Sequence, residues 1–478
     1  MRFDNFLDGR WIGSEEREAD VNPSDLDDVV GEYALATADV AQEALDAARR
    51  ALAAWRWSNP LTRSALLDRA GVLLEERAET IAHTLAREEG KLVREARGEV
   101  LLSSRIFRYF AAEPLRHRGA ALPGLREGFD VTVTYEPVGV VANITPWNFP
   151  LAVPVWKTAA ALAYGNTVVL KPSEFTPATA VHLARVLEDA GFPRGVFNMV
   201  LGHGKVLGET LVRGSDAVSF TGSGPTGRRI VEMAAPSMAK VQLELGGKNP
   251  LVILGDCDVE QAIGVALAGT FTHVGQRCTS SSKIIVERSV YDRVLAGMVA
   301  GVNGYRIGAF DAPDVDMGPV ANETQFRKSL HFMERTVEEG GELVAGGGPV
   351  DGIGRGYYVR PALFAGTTTD MTINREEVFG PAATIFCVDD LDEAIHLAND
   401  CDFALSSGIF SHHLPSIERF RRRSKAGMVT VNAPTAGLDF HIPFGGRAPS
   451  GYGGREQGWG AAEFFTEMKA TYYNHGVT

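Results

Sequence analysis

At 478 residues the chain exceeds what one ordinary hydrophobic core organises, so two or three domains are expected. Its 45% hydrophobic and 22% charged residues describe a folded soluble protein, and a net charge of −13 argues against the concentrated basic surface that nucleic acid requires. Four cysteines without paired spacing speak for free thiols in a reducing compartment, here the cytoplasm, rather than a disulfide framework. Charges at Arg2, Asp4 and Asp8 break the apolar stretch a signal peptide needs. The most apolar window, 151–170, is interrupted by Pro154 and Lys157, so it reads as buried core and no membrane partner is expected.

Along the chain, residues 39–57 carry alanine-rich helical spacing (Val40, Ala44, Leu45, Ala48, Leu52, Trp55), and 61–90 continue it with Leu66, Leu67, Ala70, Leu73 and Leu74. Residues 128–136 alternate with period two, the signature of a half-exposed strand. Short β-branched runs at 138–144, 167–170, 196–201 and 217–220 alternate with helical segments, which predicts a parallel sheet covered on both faces. After Gly247 the pattern restarts with a strand at 250–254, a helix at 259–273 and a strand at 283–286, the beginning of a second α/β unit reaching to about 432. Residues 464–473 read as another exposed strand. Together with 128–136 it either pairs with a second chain or forms an edge covered by its own domain.

Three places carry chemistry. The strand at 217–220 runs into Gly222-Ser223-Gly224-Pro225-Thr226-Gly227, which satisfies G-x-G-x-x-G, and Glu244 follows near the spacing of a ribose-binding carboxylate. The motif lies after several earlier strands, however, and Glu244 precedes Gly246-Gly247 in a tight loop suited as well to catalysis as to binding. Free amides after Gly222 and Ser223 can hold a pyrophosphate; the plain alternative is a strand-to-helix turn. Lys171-Pro172-Ser173-Glu174 stands at a strand end, where it can grip ribose hydroxyls or form a solvated surface ion pair. Cys278, in Gly275-Gln276-Arg277-Cys278-Thr279, combines with the remote Glu244 as a thiol and a base able to make and break a thioester. The other cysteines, Cys257, Cys387 and Cys401, lack such surroundings, and a lone cysteine is more often inert.

Six motifs in one order resemble the aldehyde dehydrogenase superfamily: Thr145-Pro146-Trp147-Asn148-Phe149-Pro150, Lys171-Pro172-Ser173-Glu174, Phe220-Thr221-Gly222-Ser223, Leu243-Glu244-Leu245-Gly246-Gly247-Lys248, Gly275-Gln276-Arg277-Cys278, and Glu376-Glu377-Val378-Phe379-Gly380-Pro381. Pro443-Phe444-Gly445-Gly446-Arg447 extends the match to essentially the whole chain. The resemblance implies oxidation of a small aldehyde to an acid with NAD, NADP being possible, and no metal. It implies an α/β fold with a Rossmann-like dinucleotide-binding domain (1–117 and 138–246), an α/β catalytic domain (247–445), and a small β oligomerisation, or bridging, domain (118–137, with the return segment 446–478). Homodimers or homotetramers follow from the same likeness. Carried over by position, Cys278 is the nucleophile, Asn148 the oxyanion donor and Glu244 the general base, with Lys157 and Glu456 assisting proton movement. Lys171, Ser173 and Glu174 fall at the adenosine ribose, Gly222 and Ser223 at the pyrophosphate, Glu377 at the nicotinamide ribose with Phe379 beside the ring, and Ile144 and Trp147 also on the cofactor side. Arg277, Phe149 and Phe440 face the substrate.

Residues 432–447 and 451–458, with Thr221–Arg229, look closest to α-ketoglutaric semialdehyde dehydrogenases, which convert 2,5-dioxopentanoate to 2-oxoglutarate. Arg277 can pair with a distal substrate carboxylate or serve a structural role facing away. Succinic and glutaric semialdehydes, lactaldehyde and aromatic aldehydes are the alternatives. A carboxylate at Glu174 repels a 2′-phosphate and favours NAD. CoA-acylating relatives usually lack the base, and a non-catalytic binding or structural relative would lack nucleophile or base; this chain has both Cys278 and Glu244.

Overall fold

The structure, a computed structural model, describes residues 1–116, 119–437 and 439–476. The expected domain boundary at 117/118, and Leu438 within the 432–447 stretch, lie outside the described residues. After short N-terminal strands come helices α1 (Ala38–Trp55), α2 (Pro60–Glu76), α3 (Ala78–Glu89) and α4 (Val93–Ala111). Thr37 caps α1 by accepting the Val40 N–H, and Asn59 caps α2 ahead of Pro60, whose missing N–H suits the first turn. The helical spacing of 61–90 is not one helix: it breaks at Arg77, whose φ of −103° and ψ of 11° leave the α region. Gly71 lets α2 lie against α4, because a Cβ there would stand 2.9 Å from the Ser104 carbonyl oxygen, and the Ser104 hydroxyl donates to Gly71 O at 2.8 Å.

The first large sheet is built from β1 (Val140–Ile144), β2 (Thr167–Lys171), β3 (Phe197–Met199), β4 (Ala217–Thr221) and β5 (Lys240–Glu244), with α5 (Ala152–Ala163), α6 (Pro177–Ala190) and α7 (Gly224–Ala234) in the connections. The strands are parallel in the order β5-β4-β1-β2-β3, and short antiparallel strands extend both edges to eight. β1 pairs with β2 on one side and with β4 on the other, so the strand order reverses there. A crevice opens at such a point beyond the carboxyl ends of the strands. β1 and β2 are fully or almost fully buried, which explains why residues 140–142 and 168–170 are consecutive apolar residues instead of alternating with polar ones.

The second sheet has seven strands and contains β6 (Asn249–Ile253), β7 (Ser281–Glu287), β8 (Ala382–Val388) and β9 (Ser406–Phe410), again parallel, with α8 (Val259–Phe271) packed beside them. Between α8 and β7 the chain turns through His273, Val274 and Gly275, with φ of 55°, 58° and 68°. The left-handed region is costly for β-branched Val274, about 1–3 kcal/mol, and this turn delivers the Cys278 segment toward the first sheet. Gly119–Pro123, Phe129–Pro137 and Thr466–Asn474 form a separate three-stranded antiparallel sheet. The strand expected at 464–473 therefore begins later: Phe464 and Phe465 are buried in a short helix, Ala461–Phe465, because their rings fill the core beside α5 rather than an exposed sheet face. Among the described residues no helix is long and apolar enough to cross a membrane.

Candidate active site

A cavity of about 380 Å³ lies where the two sheets meet, a size suited to a small-molecule site. Its walls come from the loop after β1 (Pro146–Phe149), the end of β4 and its turn (Thr221–Ser223), Leu245 and Gly246 after β5, and Cys278 with Thr279 before β7. Trp156, Phe444 and Phe149 give it an aromatic character. Nine of the residues expected at the site line it: Trp147, Asn148, Phe149, Gly222, Ser223, Arg277, Cys278, Glu377 and Phe379.

The Asn148 side chain is buried, and its Nδ2 donates to the Gln276 carbonyl at 3.0 Å. One amide hydrogen is thereby fixed and the second is left to act elsewhere. The Gln276 side chain is anchored in turn by the Ala321 N–H at 3.0 Å, and the Cys278 carbonyl accepts from Asn249 Nδ2 at 2.8 Å. Burial pushes the Cys278 thiol well up, and the carboxylates of Glu377, Glu244 and Glu456 add to the rise against a smaller opposing effect of Arg277. Both effects favour the neutral thiol, and a cysteine acts as a nucleophile through its thiolate.

Glu244 ends β5 and is almost fully buried, with Oε2 accepting the Gly446 N–H at 3.1 Å. A Cβ at Gly445 would collide with the same carboxylate. Behind it stand Lys157 and Glu456, ion-paired to each other; Lys157 also donates to Ser219 Oγ at 2.9 Å, and Trp156 Nε1 donates to Glu456 Oε2 at 2.7 Å. Burial, then the nearby Glu456 charge, holds the Glu244 carboxyl well above the usual range, while Lys157 opposes the rise. Burial likewise lowers Lys157, against the pull of Glu456. A high-pKa carboxyl, a carboxylate and an ammonium in one buried group form a chain able to pass protons.

At the other end of the cavity Glu377 Oε1 accepts the Gly247 N–H at 2.8 Å, and the Phe379 ring meets Trp147 edge-on at 5.4 Å. Phe379 has φ of 56°, and it shares the left-handed region with His273 and Gln457 of the same cavity. Two strands across the sheet, Lys171 closes β2 and pairs with Glu174 at 3.1 Å. Lys171 is 4% exposed, so this is not the solvated surface pair that was the alternative. Burial works against the Glu174 charge, but Lys171, its own backbone N–H and His203 together more than offset it and hold the carboxyl below its ordinary range.

A family model described as the aldehyde dehydrogenase family matches residues 11–471. The chain belongs to the aldehyde dehydrogenase family. It is 39% identical to the alpha-ketoglutaric semialdehyde dehydrogenase of Bacillus subtilis, covering 98% of this chain and 97% of that protein. It is likewise 39% identical to the 2,5-dioxopentanoate dehydrogenase of Saccharolobus solfataricus over 98% of each. A solved structure of Staphylococcus aureus betaine aldehyde dehydrogenase in complex with NAD+ superposes with a TM-score of 0.96 at 32% identity, covering 99% of this chain and 95% of that one.

Within this family member, several expected site residues are placed otherwise than their motifs suggest. The Gly222 N–H is not free for a pyrophosphate, because it donates to the Glu244 carbonyl at 3.0 Å; the open amides belong to the first turn of α7, beyond Ser223. Glu244 itself lies outside the cavity wall in this conformation. Arg277 reaches the cavity, but its Nη2 donates to the carbonyls of Ala268 and Gly269 at 3.0 Å each, capping the end of α8. This is the structural role weighed against substrate pairing. Phe440 is absent from the lining and packs edge-on against Tyr109 of α4 at 5.9 Å, because its ring lies against the hydrophobic core. Ile144, Lys171, Ser173 and Glu174 lie at the strand ends of the first sheet, outside this cavity. Trp156, Phe444 and Gln457 line the cavity without having been singled out; Trp156 and Gln457 adjoin Lys157 and Glu456, which was the available signal.

Proposed function

We propose that this chain oxidises α-ketoglutaric semialdehyde (2,5-dioxopentanoate) to 2-oxoglutarate with NAD, through a thioester on Cys278. The observation that carries the catalytic part is the convergence of Cys278, the tethered amide of Asn148 and the aromatic cavity at the crevice of a parallel sheet. The substrate part is supported by the names of the two relatives at 39% identity.

The donor set fits a dinucleotide. Glu174 beside Lys171, and Glu377 at the cavity, offer a carboxylate to each of two ribose diols, and the first turn of α7 offers backbone amides to a pyrophosphate. When bound, NAD supplies the hydride acceptor. On the protein side, the Cys278 thiol gives up its proton to solvent in the open cavity, the Sγ thiolate adds to the aldehyde carbon, and the resulting oxyanion takes hydrogen bonds from Asn148 Nδ2 and the Cys278 N–H. Loss of hydride from that carbon leaves the thioester. Glu244 then leaves the Gly446 N–H, turns its side chain toward the cavity, and takes a proton from the water that attacks the thioester carbon. The C–S bond breaks, the thiolate is released, and the acid departs. Glu456 and Lys157 lead the proton away from Glu244.

A panel of aldehydes with both NAD and NADP tests the reading. The expected result is a kcat/KM for α-ketoglutaric semialdehyde exceeding that for succinic and glutaric semialdehydes by about 10-fold or more. NAD is expected to be preferred, with Glu174→Gln narrowing the preference by about 10-fold as the charge facing a 2′-phosphate is removed. A preference for betaine or aromatic aldehydes would overturn the substrate assignment. The three-stranded sheet, whose Leu122, Met468 and Tyr472 are exposed, is proposed as the surface that joins homodimers or homotetramers. A monomer in sedimentation at micromolar concentration would contradict it.

A further inference from the structure

Lys91 takes no part in the chemistry above, yet it is 1% exposed and reaches the loop that carries Asn148. It lies just beyond the end of α3. Its Nζ donates to the backbone carbonyl of Asn148 at 2.7 Å and to Glu99 Oε2 at 2.8 Å, and stands 4.4 Å from the centre of the Phe149 ring. Glu99, on α4, completes a bracket: its Oε1 accepts the N–H groups of Leu151 at 2.9 Å and Ala152 at 3.0 Å, where α5 begins. Burial works against the Lys91 charge, but Glu89, Glu99 and Glu95 more than offset it. Glu89 stands 3.7 Å away, with its carboxyl pushed up to about 8 by burial, whereas Glu99 makes the close contact with Lys91 at 2.8 Å.

One buried ion pair thus grips residues 148–152 at both ends. The Asn148 peptide cannot turn without breaking a charge-assisted hydrogen bond where little water can replace it. At the far end of the same residue, Nδ2 is tied to the Gln276 carbonyl. Backbone and side chain are therefore fixed independently, which leaves the second Nδ2 hydrogen a single direction.

We propose that Lys91, held by Glu99, is a positioning residue for the Asn148 amide and sets the strength of the oxyanion site. This rests on the reading of Asn148 as oxyanion donor. Among the described residues Lys91 hydrogen-bonds the catalytic loop through the Asn148 carbonyl, so a positioning role requires the two residues to be energetically coupled.

The test is a double-mutant cycle on the single-turnover rate of NADH formation, using Lys91→Met, Asn148→Ala and the double variant, with NADH affinity measured separately. Asn148→Ala is expected to slow the step by about 10²–10³-fold. Lys91→Met is expected to slow it by about 10–100-fold in the otherwise unaltered enzyme, and by less than about 3-fold once Asn148 is alanine. NADH affinity is expected to stay unchanged throughout. An equal loss from Lys91→Met in both backgrounds would overturn the positioning role while leaving Asn148 as donor. An unchanged rate in Asn148→Ala would remove the donor reading itself. If Lys91→Met does not accumulate as folded protein, Glu99→Gln enters the same cycle, since it keeps an acceptor for the Leu151 and Ala152 amides and removes the charge opposite Lys91; full additivity there counts equally against the proposal.

Discussion

Replacing Cys278 with alanine is expected to lower aldehyde oxidation by at least about 10⁴-fold, the scale of losing a nucleophile whose partners act only through it. Rapid-mixing measurements would find no burst of NADH, while NADH binding, followed by its fluorescence, stays within about 2-fold of the parent enzyme. That tolerance follows from the geometry, because the groups proposed to hold the dinucleotide, Glu174 with Lys171 and Glu377 with Gly247, make no contact through the Cys278 side chain. Turnover above background in Cys278→Ala would refute nucleophilic catalysis. Burial of the thiol, to which the surrounding carboxylates add, sharpens a second expectation: it favours the protonated form, so the burst rate of the parent enzyme is expected to rise with pH as the thiolate forms.

Glu244→Gln is expected to separate the two halves of the reaction. The variant retains a burst of about one NADH per site and then stalls, with steady-state turnover reduced by about 10²–10⁴-fold, the usual contribution of a positioned general base. Its amide oxygen can still accept the Gly446 N–H, so the fold of the loop is preserved. The pH dependence has a definite sign. The Glu244 carboxyl is raised by burial and by Glu456, and only its deprotonated form can act as base. Turnover of the parent enzyme therefore increases as pH rises through that raised value, and this limb is missing from the variant. Equal burst and steady-state rates in Glu244→Gln would remove the proposed role. A collapse of NAD affinity would instead assign Glu244 to the ribose, as the spacing from Gly222 by itself suggests.

How far the chain could be read without its structure differs by residue. The short β-branched runs at 138–144 and 167–170 became β1 and β2, because a strand buried on both faces needs several consecutive apolar residues, a local property of the chain. The spacing at 61–90 misled, because periodicity reports which face is apolar and is silent about a one-residue break such as Arg77. Phe464 and Phe465 misled in the same way: their hydrophobicity marks burial, and burial in a short helix beside α5 satisfies it as well as a strand does.

The sequence by itself determined the family and singled out the groups proposed as reactive, since Cys278, Glu244 and Asn148 stand in ordered motifs rich in glycine and proline. Only the tertiary structure decided what those groups face. It committed the Gly222 N–H to Glu244, turned the Glu244 carboxylate to Gly446, tied Arg277 to the end of α8, and brought Lys91 to Asn148 across 57 positions of chain. Each of these is a hydrogen bond between segments whose meeting depends on how the sheets and helices pack. Such pairings leave no periodicity or spacing in the chain from which they could be read.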